Sequence, residues 1–232
     1  MRNDIDGVAF DLDGTLYPNY RFFIRLTPFI LKEHALLLAL GKARDDLRAA
    51  AEGKPAEESG LQQPAFYDLQ AQFMAKILHK EAEAVKERTE RLIYRGWEPL
   101  FKKIRPYPLV RETLRALRER GFKLGMLSDF PPETKLKNMD LAGFWDVELC
   151  SEVSGYLKPH PAPFLELANR LGIPPERLLY VGNSVRYDII GAKKTGMRAA
   201  LISSPFCTGR RRNGNADFIF SHYRQLRDYM LG

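Results

Sequence analysis

The chain has 232 residues, of which 45% are apolar and 28% charged, so its composition is that of a globular protein able to bury a sizeable core. The formal net charge of +7 favours anionic partners without specifying one. The basic run Arg210, Arg211 and Arg212 lacks interleaved aromatic residues, so we expect no nucleic-acid partner. The longest apolar patch, residues 35–40, is too short to span a membrane.

Cysteine usage and the first residues predict the compartment. Cys150 and Cys207 lack metal-ligand spacing and are too few for a disulfide framework, so we expect two reduced thiols. The first residues carry neither the apolar stretch nor the small-residue cleavage site of a signal peptide. The sequence therefore predicts a cytoplasmic protein without a membrane partner.

Four short, nearly continuous apolar runs predict buried strands at residues 8–10, 123–127, 178–181 and 199–202. Such runs are typical of a parallel sheet that is covered on both faces. Helical spacing of apolar residues follows at 109–117, 164–171 and 189–192, and residues 145–150 and 218–220 are further strand candidates. This alternation predicts an α/β fold with a Rossmann-like, mostly parallel sheet.

The segment from residue 17 to residue 105 interrupts the alternation, because it is rich in Leu, Ala, Lys, Glu and Arg and has little strand signal. Apolar residues at helical spacing predict helices that include Phe22, Leu69 and Val85, with a loop over residues 52–64. We therefore predict a core of residues 1–16 and 106–232, interrupted by an all-helical domain over residues 17–105.

Two carboxylates follow the first predicted strand, in the sequence Asp11-Leu12-Asp13-Gly14-Thr15-Leu16. In open α/β sheets, ligands bind at the carboxyl ends of the strands. Side chains two residues apart project to the same side of an ideal strand, and Gly14 allows the chain to turn directly afterwards. Asp11 and Asp13 are therefore candidates for catalysis.

This hexapeptide resembles the DxDGT motif of the haloacid dehalogenase-like (HAD) hydrolase superfamily. The resemblance implies that Asp11 is a nucleophile that forms an aspartyl-phosphate. It also implies that Asp13 protonates the leaving oxygen, then deprotonates the hydrolytic water, and ligates a metal through its backbone carbonyl. A carboxylate attacks a phosphate dianion poorly because like charges repel, so Mg²⁺ and basic neighbours must offset the repulsion.

Two further motifs of that superfamily have counterparts in the chain. Ser128, which ends the second predicted strand, resembles the second motif, and its hydroxyl with the backbone N–H of Asp129 would hold phosphoryl oxygens. Lys158 resembles the third motif and would neutralise Asp11 and the transferring group. The superfamily commonly has an acidic residue at the position of His160, which we interpret as a local variation at a helix start.

The fourth motif, GDxxxxD, is similar to residues 182–188, where the spacing is kept and Asp188 is present. Asn183 replaces the first acid, which in the superfamily usually binds Mg²⁺ directly. An amide oxygen is a hard ligand but carries no charge, so we expect weaker metal binding than an Asp would give. The metal ligands that the resemblance implies are Asp11, Asp13, Asn183 and Asp188.

Asp13 helps to choose among the reactions of the superfamily, because its dehalogenases generally lack an Asp two residues after the nucleophile. The resemblance therefore implies a phosphatase-type member with a helical cap, which is a magnesium-dependent hydrolase of a small phosphate monoester. A phosphomutase and a phosphonate hydrolase remain open. So does a non-catalytic phosphate-binding module, in which Asn183 marks a weakened metal site.

The substrate is expected to be a small phosphorylated metabolite, whose remainder would contact the start of the helical segment. Tyr17, Tyr20, Arg21 and Arg25 lie there, and the two arginines are one helical turn apart on a shared face. Arg21 and Arg25 are thus candidate substrate-binding residues. A solvent-facing helix explains the same pattern, and the sequence leaves the oligomeric state open.

Overall fold

The computed structural model describes residues 4–55, 63–203 and 215–232. Its centre is one parallel sheet of six strands in the order β3-β2-β1-β4-β5-β6. The strands are β1 (Gly7–Phe10), β2 (Lys123–Ser128), β3 (Val147–Cys150), β4 (Leu178–Gly182), β5 (Arg198–Ile202) and β6 (Phe218–Phe220). The predicted α/β fold with a parallel sheet is confirmed, and the four main strands lie where the apolar runs predicted them.

Helices fill two stretches of the chain. The described residues between β1 and β2 form the helices that are together called the helical insertion below: α1 (Asn19–Ala51), α2 (Gln63–Leu78), α3 (Ala82–Thr89) and α4 (Glu98–Phe101). A π-helical turn, Glu90–Tyr94, continues α3. The others alternate with the later strands: α5 (Val110–Glu119), α6 (Glu133–Asn138), α7 (Pro161–Leu171), α8 (Ile190–Lys194) and α9 (Tyr223–Leu231).

Strand β1 lies at the centre of the sheet, and its register brings three loops to one edge. Phe10 at its carboxyl end pairs with Met126 of β2 on one side and Val181 of β4 on the other. From β1 the sheet continues through β2 and β3 on one side and through β4, β5 and β6 on the other, so the strand order reverses at β1. Such a topological switch point is where open α/β sheets bind ligands. The loops after β1, β2 and β4 therefore meet.

The sheet is covered on both faces, as the continuous apolar strands predicted. Phe10 and Leu114 belong to one buried cluster, whereas Ala9, Phe164 and Tyr180 belong to another. Since successive strand residues point to opposite faces, β1 contributes to both clusters. This packing fixes the strand ends that carry the site.

Helix α1 differs most from the expectation. It spans 33 residues, including Pro28, whereas the spacing of apolar residues predicted only a shorter helix that includes Phe22. The kink falls at Glu33, whose backbone is non-helical and whose carboxylate binds Arg88 at 2.5 Å. The long helix carries the chain from the sheet edge to Ala51, and the segment predicted as a loop begins at the next residue.

Helix α8 also departs from the expected start, because a π-helical turn, Val185–Ile189, precedes it. Three features lie outside the described residues: part of the predicted 52–64 loop, Cys207, and the run Arg210 to Arg212. Cys150 is buried as a free thiol. Among the described residues, no helix combines the length and apolar character that crossing a bilayer requires.

Candidate active site

Lys158 lies between two carboxylates at the centre of the switch-point edge. Its Nζ is 2.6 Å from Oδ1 of Asp11 and 2.7 Å from Oδ1 of Asp188. Asp11 is the first residue after β1, and the three side chains are almost completely buried. One ammonium group offsets only one of two carboxylate charges, so the cluster can accept a further positive charge.

The electrostatics of this cluster follow from burial and from its charge balance. Burial raises the pKa of Asp11 to about 7, nearby Asp188 and Asp13 raise it as well, and Lys158 opposes them. Burial alone would lower the pKa of Lys158, but Asp11 and Asp188 hold it well above its usual value. The ammonium is therefore permanent at neutral pH, whereas Asp11 needs additional positive charge to be fully ionised.

Thr15 joins Asp11 to Asn183. Its hydroxyl lies 2.8 Å from Oδ2 of Asp11 and 3.3 Å from Oδ1 of Asn183, so these two oxygens converge. Gly14 makes this approach possible: its φ is +89°, and a Cβ there would lie 2.3 Å from the amide nitrogen of Asn183. The turn after β1 thus packs directly against the loop after β4.

The loop after β4 holds Asp188 from behind. Oδ2 of Asp188 accepts hydrogen bonds from the backbone N–H groups of Asn183 at 3.2 Å and Ser184 at 2.9 Å. A Cβ at Gly182 would lie 2.3 Å from the Cβ of Asp188, so only glycine allows this carboxylate to fold back. One carboxylate oxygen is fixed by the backbone, and the other faces Lys158.

The oxygen donors suit a hard divalent cation. Carboxylates of Asp11 and Asp188, with the amide oxygen of Asn183, are the ligand types that Mg²⁺ prefers, and contacts through Thr15 and Lys158 bring them together. Over residues 4–55, 63–203 and 215–232 no group of three His, Cys, Asp or Glu residues has metal-binding geometry. The donor set therefore depends on the neutral Asn183.

Asp13 lies on the other side of the turn and accepts three hydrogen bonds. The hydroxyl of Tyr17 donates to Oδ1, and Nζ of Lys135 contacts the two oxygens at 2.8 and 2.6 Å. Burial and Asp13 raise the pKa of Tyr17 far above its usual value, so its hydroxyl stays protonated. Sequence reasoning missed Lys135, because nothing in its pattern distinguishes it from Lys137 on the same short helix.

Ser128 is the last residue of β2, and Asp129 follows it at the same edge of the sheet. Ser128 is fully buried, and its Oγ accepts a hydrogen bond from the backbone N–H of Phe130 at 3.2 Å. The Asp129 carboxylate accepts hydrogen bonds from the Ser151 hydroxyl at 2.6 Å and from the backbone N–H of Lys158 at 3.1 Å. The sequence suggested only a backbone role for Asp129, yet its side chain ties the second motif to the third.

Two arginines of α1 reach this region. Nη2 of Arg44 donates to the backbone carbonyl of Asp129 at 2.6 Å, and Nη2 of Arg48 donates to its carboxylate at 2.9 Å. Nε of Arg48 also donates to the carbonyl of Lys158 at 2.9 Å. Burial would raise the pKa of Asp129, but Lys158, Arg44 and Arg48 lower it overall. The helical insertion thus contacts the loops that carry the site.

Arg21 and Arg25, which the sequence suggested as substrate-binding residues, lie elsewhere. Arg21 donates to the carbonyl of Arg105 and Arg25 to that of Lys103, each at 3.1 Å. These contacts direct both side chains to the loop after α4, so their role in substrate binding stays a prediction without structural support. The pairs 21/25 and 44/48 have the same spacing, so sequence alone could not separate them.

Known proteins of one family match most of this chain. A sequence model of the haloacid dehalogenase-like hydrolases matches residues 5–196. The chain belongs to this family. Glyceraldehyde 3-phosphate phosphatase of Methanopyrus kandleri is 31% identical over 83% of this chain and 82% of its own. Phosphoglycolate phosphatase of Escherichia coli is 31% identical over 83% of this chain and 79% of its own. The predicted enzyme class, a phosphatase, is confirmed by these relatives.

Solved structures support the family's fold. The HAD phosphatase of Thermococcus onnurineus is 27% identical, with a TM-score of 0.64 over 98% of this chain and 99% of that one. An L-2-haloacid dehalogenase has a TM-score of 0.67 over 98% of this chain and 99% of its own, at 20% identity. The second likeness shows the fold alone, since phosphatases and dehalogenases of the family share it.

Proposed function

We propose that this phosphatase hydrolyses a small phosphate monoester through an aspartyl-phosphate on Asp11 and that it depends on Mg²⁺. The observation that carries the proposal is the position of Lys158, whose ammonium contacts Asp11 and Asp188. A buried ammonium beside a buried carboxylate at a switch point suits transfer of an anionic phosphoryl group. The names of the relatives suggest phosphoglycolate and glyceraldehyde 3-phosphate as first substrates to assay.

In the first step, a carboxylate oxygen of Asp11 bonds to phosphorus as the bond from phosphorus to the alcohol oxygen breaks. Asp13 gives its proton to the departing alcohol oxygen, so the alcohol leaves as a neutral molecule. To present an O–H there, Asp13 must give up one of its hydrogen bonds with Tyr17 and Lys135. Ser128 and the backbone N–H of Asp129 are proposed to hold the phosphoryl oxygens.

In the second step, Asp13 accepts a proton from water as the water oxygen bonds to phosphorus. The bond from phosphorus to the Asp11 oxygen breaks, which regenerates the carboxylate and releases inorganic phosphate. Lys158 remains beside Asp11 in both steps and offsets negative charge on the transferring group.

We propose that Asp11, Asn183, Asp188 and the backbone carbonyl of Asp13 would hold Mg²⁺. The bound cation would supply charge that polarises the phosphoryl oxygens. The residues themselves keep Asp11 oriented, because Thr15 donates to its Oδ2 while Lys158 binds its Oδ1. Since Asn183 is neutral, we expect this site to require a higher Mg²⁺ concentration than the same site would with an Asp at position 183.

We also propose that residues 17–105 act as a cap domain on a core of residues 1–16 and 106–232. Arg44 and Arg48 support this, because they bind the loops after β2 and before α7. A helical cover that contacts these loops would exclude bulk water during phosphoryl transfer. Cytoplasmic location and the absence of nucleic-acid and membrane partners stay predictions from the sequence.

The decisive experiment compares the wild-type protein with Asp11→Asn. We expect wild-type protein with Mg²⁺ to release phosphate from p-nitrophenyl phosphate, and acid quenching to trap a phosphoryl group on the peptide that contains Asp11. The variant should show neither result, and hydrolysis that survives the substitution would rule out this nucleophile. Isomerised ester instead of free phosphate would indicate a phosphomutase, and phosphate binding without turnover would indicate a non-catalytic module.

A further inference from the structure

A cavity of about 320 Å³ lies between the helical insertion and the loop and helix that follow β2. Five aromatic residues contribute to its walls: Tyr67, Tyr94, Trp97, Phe101 and Phe130. Two ring contacts join the helical insertion to the loop after β2: the centre of the Phe130 ring lies 5.9 Å from that of Tyr94 and 6.1 Å from that of Trp97. The cavity is therefore an aromatic chamber built by both parts of the chain.

Lys135 joins this chamber to the proposed catalytic acid. It lines the cavity, and its Nζ binds both oxygens of Asp13. The same Nζ lies 5.1 Å from the ring centre of Phe101 and 5.4 Å from that of Phe130. Because Asp13 is proposed to protonate the departing oxygen, the chamber begins where the alcohol part of the ester would extend.

The charged residues that line the chamber already have polar partners. Arg95 binds Glu90 at 2.9 Å, and the Thr134 hydroxyl donates to Glu98 at 3.4 Å. Within the described part of the chain, the buried indole N–H of Trp97 has no hydrogen-bond partner. That N–H is inaccessible to solvent, so what the chamber offers a guest is aromatic surface beside charged groups that already have polar partners.

The Phe130 side of the chamber disfavours a cationic guest. The ring of Phe130 already faces two cations, because the Arg44 guanidinium lies 4.1 Å from its centre and Lys135 5.4 Å. A third positive group would be repelled by both, whereas a neutral ring would gain edge and face contacts with the walls. Roughly 150 Å³ suffices to bind benzene, so the chamber has room for a single substituted ring.

We infer that this chamber selects phosphate monoesters whose alcohol carries a neutral aromatic ring. The inference rests on the proposed function, because it assigns the chamber to the leaving group of that same reaction. It sets this chain apart from relatives named for the small, ring-free esters phosphoglycolate and glyceraldehyde 3-phosphate.

The test compares benzyl phosphate with ethyl phosphate, because their alcohols have similar acidity and the difference in kcat/KM then reports on the ring. We expect benzyl phosphate to be preferred by about tenfold or more, as filling an apolar pocket gives discrimination of roughly 10–200-fold. Thr134→Phe should fill the chamber and remove this preference, so that the ratio of the two kcat/KM values approaches one. Lys137→Phe adds the same ring to an exposed position of α6 and should keep the preference.

Binding of benzylphosphonate and ethylphosphonate, measured by calorimetry, separates this inference from the proposed function. If no ester is hydrolysed but benzylphosphonate still binds more tightly and Thr134→Phe abolishes the difference, the ring site stands and the proposed function fails. Equal turnover of both esters, or a preference for choline phosphate, would overturn the ring site and leave the phosphatase proposal intact.

Discussion

Nζ of Lys158 lies 2.6 Å from Oδ1 of Asp11 in a fully buried pair. A simple ion pair would be neutral, but Asp188 shares the same ammonium at 2.7 Å, so the three groups carry one excess negative charge when all are ionised. Burial therefore raises the pKa of Asp11 to about 7. The excess negative charge lowers the free energy of unfolding of the metal-free protein, and a bound cation would neutralise it.

The first prediction concerns Asp11→Asn and pH. A carboxyl group whose pKa rises from 3.8 to about 7 on folding binds its proton more tightly in the folded protein, so its contribution to stability falls as pH rises through that window. At pH 8 without metal, Asp11→Asn should therefore melt several degrees above wild type. At pH 5, where Asp11 is already protonated, the two should melt at nearly the same temperature.

Asp228→Asn provides the control, because Asp228 is an exposed carboxylate on α9, far along the chain from the site. It should change the melting temperature little at either pH. Millimolar Mg²⁺ should stabilise wild type more than Asp11→Asn, since a ligand stabilises the state that binds it. A variant that melts below wild type at pH 8 would show that the Asp11 ion pair is net stabilising.

The second prediction concerns the metal affinity set by Asn183. Asn183→Asp adds a charged oxygen beside Asp11 and Asp188, so the Mg²⁺ concentration for half-maximal activity should fall by on the order of tenfold. Without metal the extra carboxylate should lower the melting temperature, because it adds a third negative charge around Lys158. Calorimetric titration with Mg²⁺ checks the affinity independently of turnover.

Asn169→Asp makes the same chemical change at an exposed position of α7 and should leave the Mg²⁺ requirement unchanged. If Asn183→Asp binds Mg²⁺ no more tightly than wild type, Asn183 is not a metal ligand. The idea that this residue weakens the site would then be wrong.

The sequence predicted the sheet well and also indicated which strand ends carry the candidate site, because both are local patterns. Continuous apolar runs predict buried parallel strands, and short motifs follow those strands directly, so Asp11, Lys158 and Asp188 could be expected together. Their meeting at 2.6 and 2.7 Å agrees with that expectation. To predict that these three side chains meet, only the order of the strands is needed in addition to the local motifs.

The helical insertion was harder to predict because its contacts depend on the direction of one long helix. The spacing of apolar residues indicated only the first part of α1, so the sequence did not indicate that Arg44 would reach Asp129. Lys135 was equally hidden, since a buried lysine and an exposed one look alike in a short charged helix. Tertiary packing alone distinguishes these side chains.

The third prediction concerns Lys135, whose ammonium holds both oxygens of Asp13. Lys135→Met keeps the length of the side chain but removes its hydrogen bonds to Asp13, so kcat should fall by about tenfold to a hundredfold if Asp13 is the general acid that we propose, because its positioning is then lost. KM for ethyl phosphate should change little, as Lys135 is not proposed to hold the phosphoryl group. Steady-state kinetics on both parameters provides the measurement.

Lys137→Met is the matched control, because Lys137 is exposed on the same helix. It should retain wild-type kcat and KM. A Lys135→Met protein with wild-type kcat would show that Asp13 needs no help from Lys135, and Lys135→Arg should restore part of the rate if a cation is what positions Asp13.

The fourth prediction concerns the ion pair between Arg44 of the helical insertion and Glu152 of the core, whose side chains are 6% and 0% exposed. Tyr67 and Tyr94 also donate to Glu152, each at 2.8 Å, so the insertion contacts this carboxylate through three residues. Removing either charge leaves the other buried and unpaired, and Arg44→Met or Glu152→Gln should each cost about 3–5 kcal/mol of unfolding free energy.

The double variant should cost less than the sum of the singles by about 2 kcal/mol, because it leaves no uncompensated charge. Urea denaturation of the four proteins measures this coupling. The exposed pair Lys42 and Asp46 on α1 is the comparison, with an expected coupling of about 0.5 kcal/mol or less. Strictly additive costs for Arg44 and Glu152 would mean that the insertion is held by its aromatic contacts, and that the buried ion pair contributes nothing to its attachment.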